Sequence, residues 1–128
     1  MIFSHPLHDM FTRIKNGQIA KKNYIYIFNN KLCLKILYLI YQQGYIKHYS
    51  IINKNTIKIF LKYYNNLPVI KNLLFFPIKK KPIFLSLIEL WKIDSPLKLL
   101  ILSTTKGFLS GKLSKKKKIG GKLICIIE

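Results

Sequence analysis

Carboxylates are nearly absent from this chain of 128 residues: Asp9, Glu89, Asp94 and Glu128 are the four, and positions 10–88 and 95–127 have none. Paired carboxylates for acid–base catalysis and oxygen cages for Ca2+ or Mg2+ both need more than that, so these two classes of chemistry are set aside. Cysteine is equally scarce. Cys33 and Cys125 both sit in apolar surroundings, where a thiol serves more often as a small hydrophobe than as half of a disulfide, and a reducing compartment fits. No uncharged apolar run approaches the ~20 residues of a bilayer span; the strongest, 32–41, is short and contains Lys35. Met1-Ile2-Phe3-Ser4 leads straight into a helical pattern with neither a cleavable signal nor an Arg- and Ser-rich transit segment, so the expectation is a protein made where it works.

What the chain has in abundance is positive charge. Twenty-three Lys and Arg against four Asp and Glu give a net charge of +19, far beyond what solubility requires. Such self-repulsion makes physical sense beside a polyanion, and nucleic acid is the first candidate. Half of the residues are hydrophobic, enough for one compact domain or two small ones. The wealth of Lys, Asn, Ile, Tyr and Phe, beside one Arg and one Ala, matches A/T-rich codons and points to an A+T-rich genome.

Along the chain, Leu7, Met10, Phe11 and Ile14 repeat at i, i+3, i+4 and i+7, which predicts a helix with that stripe on the core; Ser4 and Pro6 mark its start. Thr12, Lys15 and Asn16 lie off the stripe and Arg13 at its edge. Tyr24-Ile25-Tyr26-Ile27-Phe28 reads as a strand, and Asn29-Asn30 offers a cap to a helix from Lys31 that Gly44 stops. Residues 45–52 and 56–63 read as two strands around Asn53-Lys54-Asn55. The polar, proline-containing stretch 63–68 is the best domain boundary, giving units 1–66 and 67–128. A strand over 69–76 follows, then the basic turn Pro77-Ile78-Lys79-Lys80-Lys81-Pro82, a short strand over 83–87 and a helical turn around Leu90-Trp91.

Toward the C-terminus an apolar run, 97–102, ends in Ser103-Thr104-Thr105-Lys106-Gly107. Short hydroxyls donate to phosphate and 2′-OH oxygens, lysine adds charge, and glycine lets backbone come close, so this stretch reads as an RNA-gripping loop. Ser110 then caps a helix through Lys118, rich in lysine at 112 and 115–118, before Gly120-Gly121 turns the chain into a last strand, 122–127.

These motifs carry a resemblance to the universal small-subunit ribosomal protein eight family. That family's C-terminal signature is a Ser-Thr-Ser-Lys-Gly loop, a short helix and a Gly-Gly-x-ϕ-ϕ-Cys strand, and Ser103 to Gly107 with Gly120-Gly121-Lys122-Leu123-Ile124-Cys125 matches it without a gap. Asp9-Met10-Phe11-Thr12-Arg13-Ile14-Lys15-Asn16 is similar to the family's opening helix, and Gly44-Tyr45-Ile46 to the close of its second. The resemblance implies an α+β fold of two small domains, the first α-β-α-β-β and the second mostly β with short helices. It implies a structural part of the small ribosomal subunit that binds the central domain of its rRNA beside neighbouring ribosomal proteins, with no cofactor, small-molecule substrate or membrane. The RNA contacts it assigns are Thr12, Arg13, Lys15, Asn16, Lys31, Ser103, Thr104, Thr105, Lys106, Gly107, Gly120, Gly121 and Lys122. Phe84 stands where relatives place an RNA-packing tyrosine, so a ring remains but its hydroxyl does not; Lys122 stands where they carry glutamate, which favours a phosphate over a base amine. With the codon bias, a mitochondrial ribosome is the expected location, with a plastid or an A+T-rich bacterium as alternatives.

Other readings are weaker. Gly107 to Lys112 looks like a P-loop, but three residues rather than four separate the glycines, and Leu113 rather than Ser or Thr follows the lysine. His5, His8 and Asp9 share a helical turn without further ligands, and no nucleophile has an evident activator. A cationic amphipathic membrane binder and a general nucleic-acid binder share the charge but not the ordered motifs.

Overall fold

The computed structural model describes residues 6–76 and 83–128. The Ser4 helix start and the basic turn at 77–82 lie outside the described residues. The fold is α+β, and the chain divides into two compact units, Met1–Lys71 and Asn72–Glu128.

In the first unit, α1 (Pro6–Ile19) buries Leu7, Met10, Phe11 and Ile14 as the periodicity predicts. Gly17 extends that face because a Cβ there would stand 2.7 Å from Ile25 Cγ2 and 3.0 Å from Leu61 Cδ1, so its missing side chain lets the helix lie close on the sheet. Strand β1 (Tyr24–Phe28) alternates strictly, with Ile25 and Ile27 inward and Tyr24, Tyr26 and Phe28 outward. Helix α2 (Lys31–Gln42) starts where Asn30 Oδ1 accepts from the Leu32 amide at 2.8 Å. Strands β2 (Ile46–Asn53) and β3 (Thr56–Leu61) form a hairpin, and the antiparallel order β1-β3-β2 places β3 in the middle. Ile57, Ile59 and Leu61 face the core from that central strand.

The stretch 63–68, read from the sequence as a break, is a miniature hairpin of β4 (Tyr63–Tyr64) and β5 (Leu67–Pro68). Its turn is Asn65-Asn66, both left-handed at φ 51° and 62°, the conformation of a type I′ turn that asparagine tolerates. Tyr63 donates its hydroxyl to Lys22 O at 2.6 Å.

The second unit is built around β10 (Gly121–Ile127). β6 (Leu73–Phe75) and β7 (Phe84–Leu85) pair with successive parts of β10, and β8 (Leu99–Thr104) pairs with it too and carries β9 (Gly107–Ser110) as an outer strand; every pairing is antiparallel. The register between β10 and β8 shifts between Leu123 and Cys125, so Ile124 is an extra residue on β10. Leu85, Leu90, Leu100, Leu102 and Leu123 form the core, to which α3 (Leu87–Ile93) contributes Leu90. The strand expected over 69–76 is shorter, Leu73–Phe75, because its bonds to the end of the chain run only from Asn72, which pairs with Glu128, to Phe76, whose amide donates to Ile124 O. Strand β9 is absent from the sequence reading, since a glycine, a phenylalanine and a serine make a weak alternation of four residues.

Two acidic side chains hold the short helices of this unit. Ser86 and Glu89 form a reciprocal capping box at the start of α3. At its end Asp94 pairs with Lys115 of α4 (Gly111–Lys116) at 2.7 Å, and the same ammonium lies 4.5 Å from the centre of the Trp91 ring. Asp94 is 7% and Lys115 18% exposed, whereas the Arg13–Asp9 pair of α1 is 45% and 34% exposed. Removing one partner of a buried pair leaves the other charge uncompensated, while an exposed pair is screened by water. Asp94→Ala is therefore expected to cost about 3 kcal/mol in urea unfolding, and Asp9→Ala less than about 1 kcal/mol. Equal midpoints for the two variants would overturn this account of α3 and α4.

Candidate nucleic-acid interface

The hydroxyl stretch is the end of one strand, a tight turn and the start of another. Ser103 and Thr104 complete β8, Thr105 and Lys106 make the turn, and Gly107 opens β9 opposite Thr104. Neither turn residue has a positive φ, while Gly107 stands at +99°, the pattern of a type I turn closed by a left-handed glycine. Thr104 fastens this turn: its Oγ1 accepts from the Lys106 amide at 3.1 Å and donates to Gly107 O at 2.8 Å.

Strand geometry sorts the three hydroxyls. Adjacent strand residues point to opposite faces, so Ser103 and Thr104 do not share a surface, and Thr105 stands exposed at the tip. The antiparallel register then brings Phe84, Lys122, Ser103 and Phe108 directly opposite one another across β7, β10, β8 and β9. Paired positions point to the same face, which makes one row of ring, ammonium, hydroxyl and ring. Phe84 is 68% exposed and the other three are half-buried.

Gly120 and Gly121 serve packing at this end of the sheet. A Cβ on Gly121 would meet Ser103 O at 2.7 Å and Thr104 Cγ2 at 2.8 Å, and one on Gly120 would collide with Leu85 O. Helix α4, capped by Ser110 Oγ on the Leu113 amide at 3.2 Å, ends at Lys116 rather than Lys118. Lys117 is its cap and Lys118 turns left-handed at φ 57°. Lys112, Lys116, Lys117 and Lys118 are exposed, and Lys115 is taken up by Asp94.

In the first unit, Lys15 and Asn16 are exposed on α1, and Lys31 is exposed at the first turn of α2. Thr12 donates its hydroxyl to His8 O at 2.8 Å. Arg13 is held by Asp9 and by Tyr26 O, the latter at 3.2 Å, and its guanidinium lies 6.0 Å from the centre of the Phe28 ring. Arg13 and Asn16 join Lys21, Lys22, Tyr24 and Tyr26 along a groove of about 790 Å³. Sequence reasoning missed those last four residues and also Lys58, whose ammonium is 4.1 Å from the Tyr24 ring centre and 5.0 Å from that of Phe60. The outward half of the Tyr24–Phe28 alternation is the signal that marks them.

Burial first, then the Asp9 charge, pushes the Cys33 thiol up to about 11, and burial alone pushes Cys125 up, so neither is an ionised nucleophile near neutrality. Among the described residues no cluster of three His, Cys, Asp or Glu could hold a metal, and no helix is long and apolar enough to cross a membrane.

The sequence profile of the family described as "Ribosomal protein S8" matches residues 5–127. The chain is 38% identical to "Small ribosomal subunit protein uS8" of Buchnera aphidicola subsp. Baizongia pistaciae, over 100% of both chains. It is 37% identical to the protein of that name from Pelagibacter ubique over 98% of each, and 32% to that from Vesicomyosocius okutanii over 99% of each.

The two kinds of glycine here predict different costs. Gly121→Ala drives a methyl into the Ser103 backbone and is expected to destabilise by about 3 kcal/mol, as overpacking does. At Gly107 a Cβ meets nothing within 4 Å, so Gly107→Ala carries only the left-handed strain, about 1 kcal/mol. Thermal or urea unfolding that ranks Gly107→Ala as the worse variant would contradict this assignment.

Proposed function

The chain belongs to the ribosomal protein S8 family, a structural component of the small ribosomal subunit, and on that premise we propose that it binds and steadies the central domain of the small-subunit rRNA. The observation that carries this reading is the row Phe84, Lys122, Ser103 and Phe108 beside the Thr105-Lys106 turn, on a chain of net charge +19. A ring stacks on a base or sugar, a serine hydroxyl bonds a 2′-OH or phosphate oxygen, and the lysine between them neutralises a phosphate. A-form helices hide their base edges in a narrow groove, so recognition rests on shape and on these few polar contacts.

On α1, Lys15 and Asn16 are the freer of the four candidates, with Arg13 already engaged by Asp9 and Tyr26. Lys31 offers a phosphate contact where the α2 amides also point outward. Gly107, Gly120 and Gly121 contribute by letting the strands close up, and Thr104 by holding the turn. The cations are spread over both units rather than along one helical face, which favours folded RNA over a membrane surface. The relatives cited above are bacterial, and with the A+T-rich codon signature this favours an A+T-rich bacterium over the mitochondrial location expected from sequence.

Two variants divide specificity from charge. Ser103→Ala with Thr105→Ala, leaving Thr104 to fasten the turn, removes two neutral hydrogen bonds worth about 1 kcal/mol each. It is expected to weaken binding to a central-domain rRNA fragment roughly ten- to thirtyfold, with little change on unrelated RNA of equal length. Replacing Lys112, Lys116, Lys117 and Lys118 by Gln, with Lys115 kept for Asp94, is expected to weaken both RNAs and flatten the salt dependence. Equal losses on the two RNAs from the hydroxyl variant would refute the proposal.

A further inference from the structure

The outer face of the β1-β3-β2 sheet carries a second, different surface. Tyr24, Tyr26 and Phe28 project from the edge strand, 44%, 46% and 69% exposed. The register sets Tyr24 beside Phe60 and His48, and Tyr26 beside Lys58 and Ser50. Tyr24 and Tyr26 meet edge to face at 5.5 Å, Tyr24 and Phe60 lie tilted at 6.4 Å, and His48 stacks on Phe60 at 5.9 Å. Lys58 rises from the centre, 4.1 Å from the Tyr24 ring centre and 5.8 Å from that of Tyr26.

Packing within the unit does not require rings here, because the sheet buries its isoleucines on the opposite face. The sole carboxylate of residues 1–71, Asp9, sits on α1 and is bound to Arg13. The face is thus mainly aromatic and cationic, which suits flat, electron-rich rings joined by an anionic backbone. A track for that backbone lies along the same edge strand: the groove holding Arg13, Asn16, Lys21 and Lys22 is lined also by Tyr24 and Tyr26.

We propose that this face binds unpaired RNA nucleotides, with bases stacked on Tyr24, Tyr26 and Phe60 and phosphates led along the Arg13–Lys22 groove. Unpaired nucleotides are specified because a base already stacked in a helix has no free face to offer a ring. Lys58 shifts from the rings to a phosphate as a base takes its place. The inference rests on the reading of the chain as RNA-binding but concerns a separate surface from the Ser103 row.

The test uses the full chain and a labelled oligouridylate of about ten nucleotides, within the usual range for one aromatic sheet surface. Tyr24→Ala with Tyr26→Ala is expected to weaken oligouridylate binding by about tenfold or more, since each base–ring stack contributes substantially. Tyr24→Leu with Tyr26→Leu, which keeps apolar bulk on the strand but no π face, is expected to lose as much. The Ser103→Ala, Thr105→Ala variant should lose far less oligonucleotide binding than the tyrosine variants do, whereas on the central-domain fragment it carries the larger loss, so the two sites fail distinguishably. A 4-thiouridine in the oligonucleotide should crosslink to Tyr24, Tyr26 or Phe60. The proposal is overturned if a folded tyrosine variant binds as tightly as the parent, or if an abasic oligonucleotide of the same length binds equally well. It is also overturned if the tyrosine variants lose only a protein neighbour of the small subunit and no RNA.

Discussion

Charge repulsion is the force this molecule has to manage, and it does so by using its carboxylates locally. Asp9 is bound to Arg13, Glu89 closes the capping box of α3, and Asp94 is buried against Lys115. Each of these three acids therefore sets local structure, and they are outnumbered by 23 Lys and Arg. Among the described residues, what remains outward is a field of exposed lysines, on two units with isoleucine- and leucine-rich cores. The apolar contacts are short-ranged and strong enough to fold each unit, while the long-ranged repulsion is relieved by whatever anion comes alongside. An internal acid that both caps a helix and silences one lysine thus shapes the electrostatic surface as much as the fold.

The second constraint is strand register. A hydroxyl-rich pentapeptide in a floppy loop could aim three side chains at one ligand, but here β8 continues to Thr104 and the pleat separates its neighbours. Thr104 turns inward on its own hairpin, Ser103 joins the cross-sheet row, and Thr105 marks the tip. Glycine is needed at 121 because β10 must pass within backbone contact of Ser103, which is what aligns Lys122 with that serine. The candidate contact residues and the glycines are therefore one device, in which close packing fixes the spacing of polar groups.

Much of this was legible in the sequence. Periodicity placed α1, the cap at Asn30 placed α2, and the alternation of Tyr24 to Phe28 placed β1, because each of those signals is local. Strand β9 was not legible, since its stability comes from pairing with β8 and not from its own four residues. The partner of Lys115 was hidden for the same reason: it lies 21 positions away, with two strands between them. The candidate residues of the C-terminal hairpin were found as a motif, but the division of labour among them depends on which face each one takes. The aromatic face of the first unit was visible as spelling and not as a surface, because Lys58 and Phe60 join Tyr24 only once β3 is known to be the central strand.

The two units arrive at similar surfaces by different routes. In the second, Lys122 stands between Phe84 and Ser103 in one row across the sheet; in the first, Lys58 stands between Tyr26 and Ser50 in another. Each row sets an aromatic ring, an ammonium and a hydroxyl side by side, a few ångströms apart, on an antiparallel pleat. On the RNA-binding reading proposed above, such a row meets a nucleotide part by part: the ring takes a base or sugar face, the ammonium a phosphate and the hydroxyl a ribose oxygen. The difference lies in rigidity and reach. On that reading the row at Lys122, braced by glycine-tight strands, suits a structured RNA of fixed shape, whereas the row at Lys58, beside Tyr24, Phe60 and an open groove, suits nucleotides that can be splayed apart. On that reading a single architectural element, the outer face of a small sheet, serves two kinds of RNA contact according to how tightly its strands are packed.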